Sequence, residues 1–471
     1  MNHYFSRRSF LKKTAVAGGA LALANSTLGN IALASANERV NLACVGIGNR
    51  GGEIIRDLYK TGLCNIVALC DVDMEAPHTQ GVLKEFPDVP RFKDFREMFD
   101  KMGNQIEAVS VGVPDFSHFP ITMMAIDLGK HVYVEKPLAR TFYEVELLMQ
   151  KAKKHPKVVT QMGNQGHSGA NYFQFKAWKE AGIIKNVTRI DAHMNNPRRW
   201  HEWDVNIKNF PNAEKLPSTL DWDLWQVHTA GHSYNKDFVN GQWRCWYDFG
   251  MGALGDWGAH ILDTAHEFLE MGLPTSIEAV KLDGHNSFFF PMSSTIKFSF
   301  PKRKSMPAID VTWYDGLDNL PPIPKGYGVS GLDPDIPPPS TGEIEPSNLN
   351  PGKIIYSKDL TFKGGSHSSI LSIIPEEKAK DMENKLPEVP DSPSNHYANF
   401  LNACKGVEKA RSPFSISGPL SQVFCLGVIA QRLNTKLEFD PIKKEITNDA
   451  FANALLIGPP PRKGWEDFFI V

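Results

Sequence analysis

Cysteine is scarce in this chain: six thiols, at positions 44, 64, 70, 245, 404 and 425, are scattered among 471 residues with no CxxC pair. That spacing excludes a disulfide-framework module and a zinc ribbon, and apolar neighbours mark the six as core thiols. A charge excess is missing too. Lysine and arginine number 51 against 53 acidic residues, a formal charge of -2, so nucleic acid is not expected as a partner. Beyond residue 36 the sequence reads as having no apolar run of membrane-spanning length. What is left is a chain of ordinary composition, long enough for two sizeable cores.

The first 36 residues stand apart. Ser6-Arg7-Arg8-Ser9-Phe10-Leu11-Lys12 precedes an alanine-rich apolar stretch, and Ala34-Ser35-Ala36 offers a small-residue cleavage site. The pattern over 1–36 is that of a twin-arginine export signal, with a membrane anchor as the competing reading. It predicts a periplasmic protein exported after folding, with no stable membrane insertion once the signal is cut. Removing the segment's four basic residues moves the formal charge from -2 to -6.

The chemistry opens at residues 40–45, an apolar strand running into Gly46-Ile47-Gly48-Asn49-Arg50-Gly51. A second apolar strand ends at Cys70-Asp71. Strand, glycine turn, helix and a distal acid together predict a dinucleotide site. Gly46 makes the tight turn, Gly48 lets the backbone approach a pyrophosphate, and Gly51 lets the helix pack on the sheet. Asp71 is placed to accept from both ribose hydroxyls of the adenosine half, which favours NAD over NADP.

Residues 40–135 alternate short β-rich runs with amphipathic helices, the rhythm of a doubly wound parallel sheet. The predicted class is therefore α/β, with a Rossmann domain over 37–160. From about 186 the runs lengthen, predicting a second α/β domain over 161–471 built on a large, mostly antiparallel open sheet. Residues 314–375 read as an irregular insertion, the stretch 314–353 being crowded with Pro, Gly, Asn and Asp. The segment 461–465 is expected to pack across the first domain.

Loops at the carboxyl ends of parallel strands line the nucleotide crevice. Val113, Pro114 and His118 follow the fourth strand, Glu135-Lys136-Pro137 the fifth, and Asn164-Gln165-Gly166-His167 the last. Val113, Pro114, His118, Glu135, Lys136 and Asn164 are thus predicted to contact cofactor, beside Gly46, Ile47, Gly48, Asn49, Arg50, Gly51 and Asp71. In the glycine-rich segment 250–263, Asp256 and His260 lie four apart on one helical face. An imidazole there can take a hydroxyl proton as hydride leaves the same carbon. Predicted substrate contacts are Lys136, Asn164, His167, Arg198, Arg199, Trp243, Arg244, Asp256, Trp257 and His260, a set of forked donors and flat apolar faces suited to carbohydrate. His228 and His232 are also four apart, but no tight ligand motif accompanies them, and no metal is expected.

With these residues in place the chain resembles the Gfo/Idh/MocA oxidoreductases. The resemblance rests on the glycine loop 46–51, on Glu135-Lys136-Pro137, and on the segment from Gly250 to His260. It implies Lys136 as the catalytic lysine, His260 as the base accompanying hydride transfer, and Asp256 as the carboxylate beside it. It also implies an open sheet that packs on another subunit, giving a homodimer or homotetramer. Leu220-Asp221-Trp222-Asp223-Leu224-Trp225, the 164–167 segment and Arg462-Lys463-Gly464-Trp465 resemble an exported branch of the family found in Bacteroidetes and Planctomycetes. Val227-His228-Thr229-Ala230-Gly231-His232 departs from that branch's pattern. The implied activity is oxidation of a hydroxyl of a sugar, glycoside or sugar derivative by hydride transfer to tightly held NAD. The alternative is an NAD-dependent glycoside hydrolase using transient oxidation and elimination. Such glycosidases tend to carry another residue in place of Lys136, so its retention leans toward net dehydrogenation.

Overall fold

The computed structural model describes residues 39–195, 203–304, 306–317, 319–327 and 349–471. The export segment, Arg198 and Arg199 lie outside them.

Six strands, β1 (Val40–Val45), β2 (Cys64–Cys70), β3 (Arg91–Phe92), β4 (Ala108–Val111), β5 (His131–Val134) and β6 (Thr160–Met162), form one sheet in the order β3-β2-β1-β4-β5-β6. All its pairings are parallel. The central strands are largely apolar because helices cover both faces. Helix Asn49–Lys60 buries Ile54, Ile55 and Leu58 on one side. Helix Phe142–Lys154 starts at a capping box between Thr141 and Glu144 and ends with Lys151, Lys153 and Lys154 against its negative pole. The sheet runs two residues past the boundary expected at 160.

The second sheet has nine strands: β7 (Val187–Met194), β8 (Ser276–Asp283), β9 (Ser293–Phe300), β10 (Ile309–Asp315), β11 (Gly352–Ser357), β12 (Thr361–Gly365), β13 (Ser372–Ile374), β14 (Lys436–Asp440) and β15 (Glu445–Ile446). Their order is β13-β12-β11-β7-β10-β9-β8-β14-β15. Only β7 and β10 pair in parallel, with Val311 opposite Ile190. The expected mostly antiparallel sheet is thus present, but the irregular insertion needs correction. Its span includes the end of β10 and all of β11, β12 and β13, and β11 pairs antiparallel with β7. Glycines hid β11 and β12 in the sequence, and the packing explains them: a Cβ on Gly352 would collide with the carbonyl of Gly364 on the neighbouring strand.

Helix Phe414–Leu433 joins the two units, touching helices Phe142–Lys154 and Gly252–Ile261 and strands β6, β8 and β9. It runs through Pro419, and by length and composition it is able to cross a membrane, contrary to the expectation for residues beyond 36. Here 78% of its apolar window is buried inside the protein, and that burial accounts for its composition. Near residue 465 the chain crosses the first domain as expected. Trp465 packs on Phe95 with ring centres 6.1 Å apart, and Phe469 on Phe119 at 4.7 Å. Five of the six thiols are buried, Cys404 is partly so, and all are free.

Helices Gly252–Ile261 and Phe414–Leu433 meet through glycine. A methyl at Gly258 would lie 2.6 Å from Cε1 of the fully buried Phe424. Gly258→Ala is therefore expected to lower stability by about 1–3 kcal/mol despite alanine's better helix propensity. An unchanged urea midpoint would contradict so tight a crossing.

Candidate active site

The turn after β1 is closed by backbone and held by a carboxylate. Gly46 has φ 80°, in the left-handed region, and a Cβ there would lie 2.6 Å from the Gly112 carbonyl. A Cβ on Gly51 would collide with the Gly46 carbonyl, and one on Gly112 would sit 2.7 Å from Gly51 Cα. Asp71 Oδ2 accepts from Ile47 N and Oδ1 from Asp73 N, both at 3.0 Å. Burial raises the Asp71 carboxyl above its ordinary range, against the pull of these amides and of His78. The helix at Asn49 has no side-chain cap, so amides of its first turn remain available to an anion. His78 lies directly over Gly48.

From this turn a cleft of about 990 Å³ runs along the carboxyl ends of the first sheet to the second domain. Asp71, Asp73 and His78 line one end, and Lys136, Asp256, Trp257, His260 and His367 the other. Lys136 Nζ donates to Asp256 Oδ1 at 2.7 Å and to the Asp256 carbonyl at 2.8 Å, tying the two domains together at the cleft wall. His260 lies on the same helix as Asp256, and its Nδ1 has no hydrogen-bond partner among the described residues. Burial lowers the pKa of this imidazole well below the ordinary value, and His367 and Lys136 push it the same way. It is therefore neutral, and able to accept a proton, at pH 7. Trp243 lies in the same wall with the Arg244 guanidinium 4.1 Å above its ring, and Arg244 Nε stands 4.0 Å from Asp256 Oδ1.

Several predicted contacts act at one remove or not at all. Arg50 lines the cleft, but its guanidinium bonds Glu53, Glu135 and Tyr397. Val113, Pro114 and His118 are also on the wall. The His118 ring nitrogens lie 2.8 Å from the Pro137 carbonyl and 3.0 Å from that of Val113, and burial pushes the ring's pKa down to about 4. His118 thus joins the two loops that line the cleft. Asn164 does not line the cleft: it is buried and accepts from Ser412 Oγ at 2.6 Å. His167 is likewise away from the cleft, locked between Asp263 and Glu267. The contact from this segment is the neighbouring Gln165, which lines the cleft and donates to Glu135 Oε1 at 3.1 Å. His228 pairs with Glu144 at 2.6 Å and His232 with Asp248 at 3.0 Å. Among the described residues no group of three or more His, Cys, Asp or Glu is arranged to hold a metal.

The residue that sequence reasoning missed is His367. It leaves β12 in Gly364-Gly365-Ser366-His367, inside the stretch read as irregular, and stacks on His260 with ring centres 4.0 Å apart and planes at 18°. A glycine pair followed by Ser-His was the available signal.

A roof closes the cleft on the side of Val72 and Lys93. Pro217, Thr219, Leu220, Leu224, Trp225 and Val227 line the cleft. They are pinned to the first domain by Asp221 N donating to the Val72 carbonyl at 3.1 Å and Lys93 Nζ donating to that of Thr219 at 2.9 Å. Trp222 and Trp225 stack at 4.5 Å, and Trp225 rests on Phe116 at 4.9 Å. Val227 has φ 42°, a conformation that β-branched side chains resist. Arg462 holds it there, donating to the Val227 carbonyl from Nε at 2.8 Å and Nη2 at 2.6 Å.

These features fit a dinucleotide. The glycine cradle leaves no room for a side chain, the helix amides are uncapped, and Glu135 Oε2 is a buried acceptor without a hydrogen-bond partner among the described residues. Comparison with known proteins agrees. Residues 40–163 match the family model described as an oxidoreductase family, NAD-binding Rossmann fold, and residues 180–287 and 356–467 match its C-terminal alpha/beta domain. NAD is the cofactor of this fold. Inositol 2-dehydrogenase/D-chiro-inositol 3-dehydrogenase of Lactiplantibacillus plantarum is 26% identical over 42% of this chain and 53% of its own length. Alpha-N-acetylgalactosaminidase of Shewanella oneidensis is 24% identical over 49% and 54%. The chain thus spans about half the length of the curated relatives it matches. The fold is shared with the WlbA dehydrogenase from Chromobacterium violaceum, solved with NADH and UDP-GlcNAcA, at TM-score 0.54 and 14% identity, covering 86% of this chain and 97% of that one.

The His167 cluster sets a pH dependence. Burial opposes charge on this ring, but hydrogen bonds to Asp263 and Glu267 outweigh it and raise its pKa from 6.5 to about 9. The native state therefore binds the proton more tightly than the unfolded chain. Its contribution to stability is complete below pH 6.5 and is lost as pH rises toward about 9. Urea midpoints of the wild type should fall across that window, and those of His167→Asn should fall less.

Proposed function

The chain belongs to the Gfo/Idh/MocA oxidoreductase family, and from that premise we propose that it oxidises a ring hydroxyl of a glycoside on retained NAD, with redox-neutral cleavage of the glycosidic bond as the net reaction. The roof over residues 217–227 carries this reading. A dehydrogenase working by turnover of free NADH must open its cofactor site in every cycle, whereas a redox-neutral enzyme keeps the nucleotide. Here the roof is fixed at Val72, Thr219 and Arg462. When bound, the nicotinamide supplies reversible two-electron storage, taking hydride from a sugar carbon and handing it back.

The protein's own groups supply the rest. His260, held neutral by burial, accepts the hydroxyl proton at oxygen. Lys136 donates to that same oxygen as negative charge develops on it, and Asp256 fixes the ammonium in place. Trp243 and Trp257 offer flat apolar faces for a sugar ring. The match to an alpha-N-acetylgalactosaminidase and to family 109 glycosyl hydrolases of Shewanella over 48–49% of the chain supports both the substrate class and the cleavage. Net dehydrogenation is the second reading. The Lys136–Asp256 pair and the inositol dehydrogenase relatives favour it. Export of a loaded enzyme to the periplasm belongs to the same proposal, since a retained cofactor needs no external pool.

Incubation with aryl glycosides decides between the readings: aglycone release without accumulation of NADH is expected, and stoichiometric NADH would overturn cleavage. His260→Ala should reduce turnover by about 10²–10⁴-fold with cofactor occupancy unchanged. Arg462→Ala should speed loss of bound NAD by about tenfold or more, equivalent to about 1.4 kcal/mol of roof stability. An unchanged dissociation rate would remove the roof from the argument.

A further inference from the structure

We infer that His367 is a second acid–base residue, moving the proton on the ring carbon next to the one oxidised, while His260 serves the oxygens. The inference rests on the cleavage reading above. His367 reaches the cleft from the link between β12 and β13, and His260 from helix Gly252–Ile261, so two unrelated elements deliver two imidazoles to one point.

The surroundings are built for this approach. His367 N donates to the His260 carbonyl at 2.8 Å, and Ser366 Oγ lies 2.9 Å from His367 Nδ1, fixing the ring's orientation. The residue sits at φ 52°, a left-handed conformation for a non-glycine residue. A Cβ on Gly166 would collide with the His367 carbonyl, and one on Gly169 with Ser368. Trp257 meets both rings near edge-on, at 6.0 Å from His260 and 5.4 Å from His367.

Two stacked imidazoles do not both hold protons, because each cation repels the other. That repulsion orders the chemistry. As hydride leaves the sugar carbon, His260 takes the hydroxyl proton and a ketone forms. His260 is now cationic, which keeps His367 neutral, with a lone pair free to take a proton once His260 gives its own up. As His367 removes the proton from the adjacent carbon, His260 hands its own to the leaving oxygen, so that the electron pair becomes a C=C bond, the C–O bond to the aglycone breaks, and only one ring carries a proton. Water then adds to the carbon that lost the aglycone, giving its proton to His260, while His367 returns its proton to the adjacent carbon. Return of the hydride to the ketone carbon, with the His260 proton going to its oxygen, restores both rings. The balance is glycoside plus water giving sugar plus alcohol.

The test separates the two carbon events. His367→Asn suits the left-handed backbone, and His367→Gln is the second variant. In D₂O the wild type should place deuterium on the carbon beside the oxidised one. In the variants that exchange and aglycone release should both fall by about 10²-fold or more, while single-turnover reduction of the bound nicotinamide falls far less. Equal loss of nicotinamide reduction, or unchanged exchange, would overturn the role of His367. A wild type that neither exchanges nor releases aglycone would instead sink the cleavage reading itself. Should both variants misfold, a structure of the wild type with a carbon-linked glycoside decides: His367 is expected about 3–3.5 Å from the adjacent carbon, and a ring turned away from the sugar would refute the assignment.

Discussion

The whole arrangement depends on three glycines in contact. Gly46, Gly51 and Gly112 come from the end of β1, the first turn of the following helix and the end of β4, and a Cβ on any of them would enter another's backbone. Without side chains between them, the helix N-terminus sits at the point where the strand order reverses between β1 and β4. That is where a parallel sheet leaves a crevice for ligand. Asp71 locks the same turn through Ile47 N, so the residue read as a ribose acceptor also shapes the cradle.

The second dependency is between domains. Lys136 belongs to the loop after β5 of the first domain and Asp256 to the second domain, and their 2.7 Å ion pair exists only when both units are assembled. Arg50, Glu135, Gln165 and Tyr397 form a parallel set of contacts along the same wall. Helix Phe414–Leu433 keeps the two halves in register by burying its apolar surface against both. The reactive end of the cleft is thus an interface, and its geometry is as rigid as the packing of that helix.

The parts of the site legible in the sequence were those set by short-range spacing. The glycine loop, Asp71, Lys136 and the Asp256–His260 pair all stand where period and loop position put them. Misreadings came where a distant partner decides the outcome. Asn164 faces Ser412, 248 residues away, and His167 faces Asp263, 96 away; no local pattern records either contact. In the same segment the side chain that reaches the cleft is Gln165. The three strands β11 to β13 were invisible for a related reason: they are short, β11 and β12 carry glycine, and β11 joins the sheet through β7, far back along the chain. His367 was hidden with them.

The bond from Arg462 to Val227 spans 235 residues, and that separation has a temporal side. A ribosome finishes the walls of the crevice long before it makes the arginine that clamps the left-handed valine. Throughout that interval the roof lacks its latch. On the proposal that the cofactor is retained, occupancy of the purified protein records the nucleotide pool present when that latch closed.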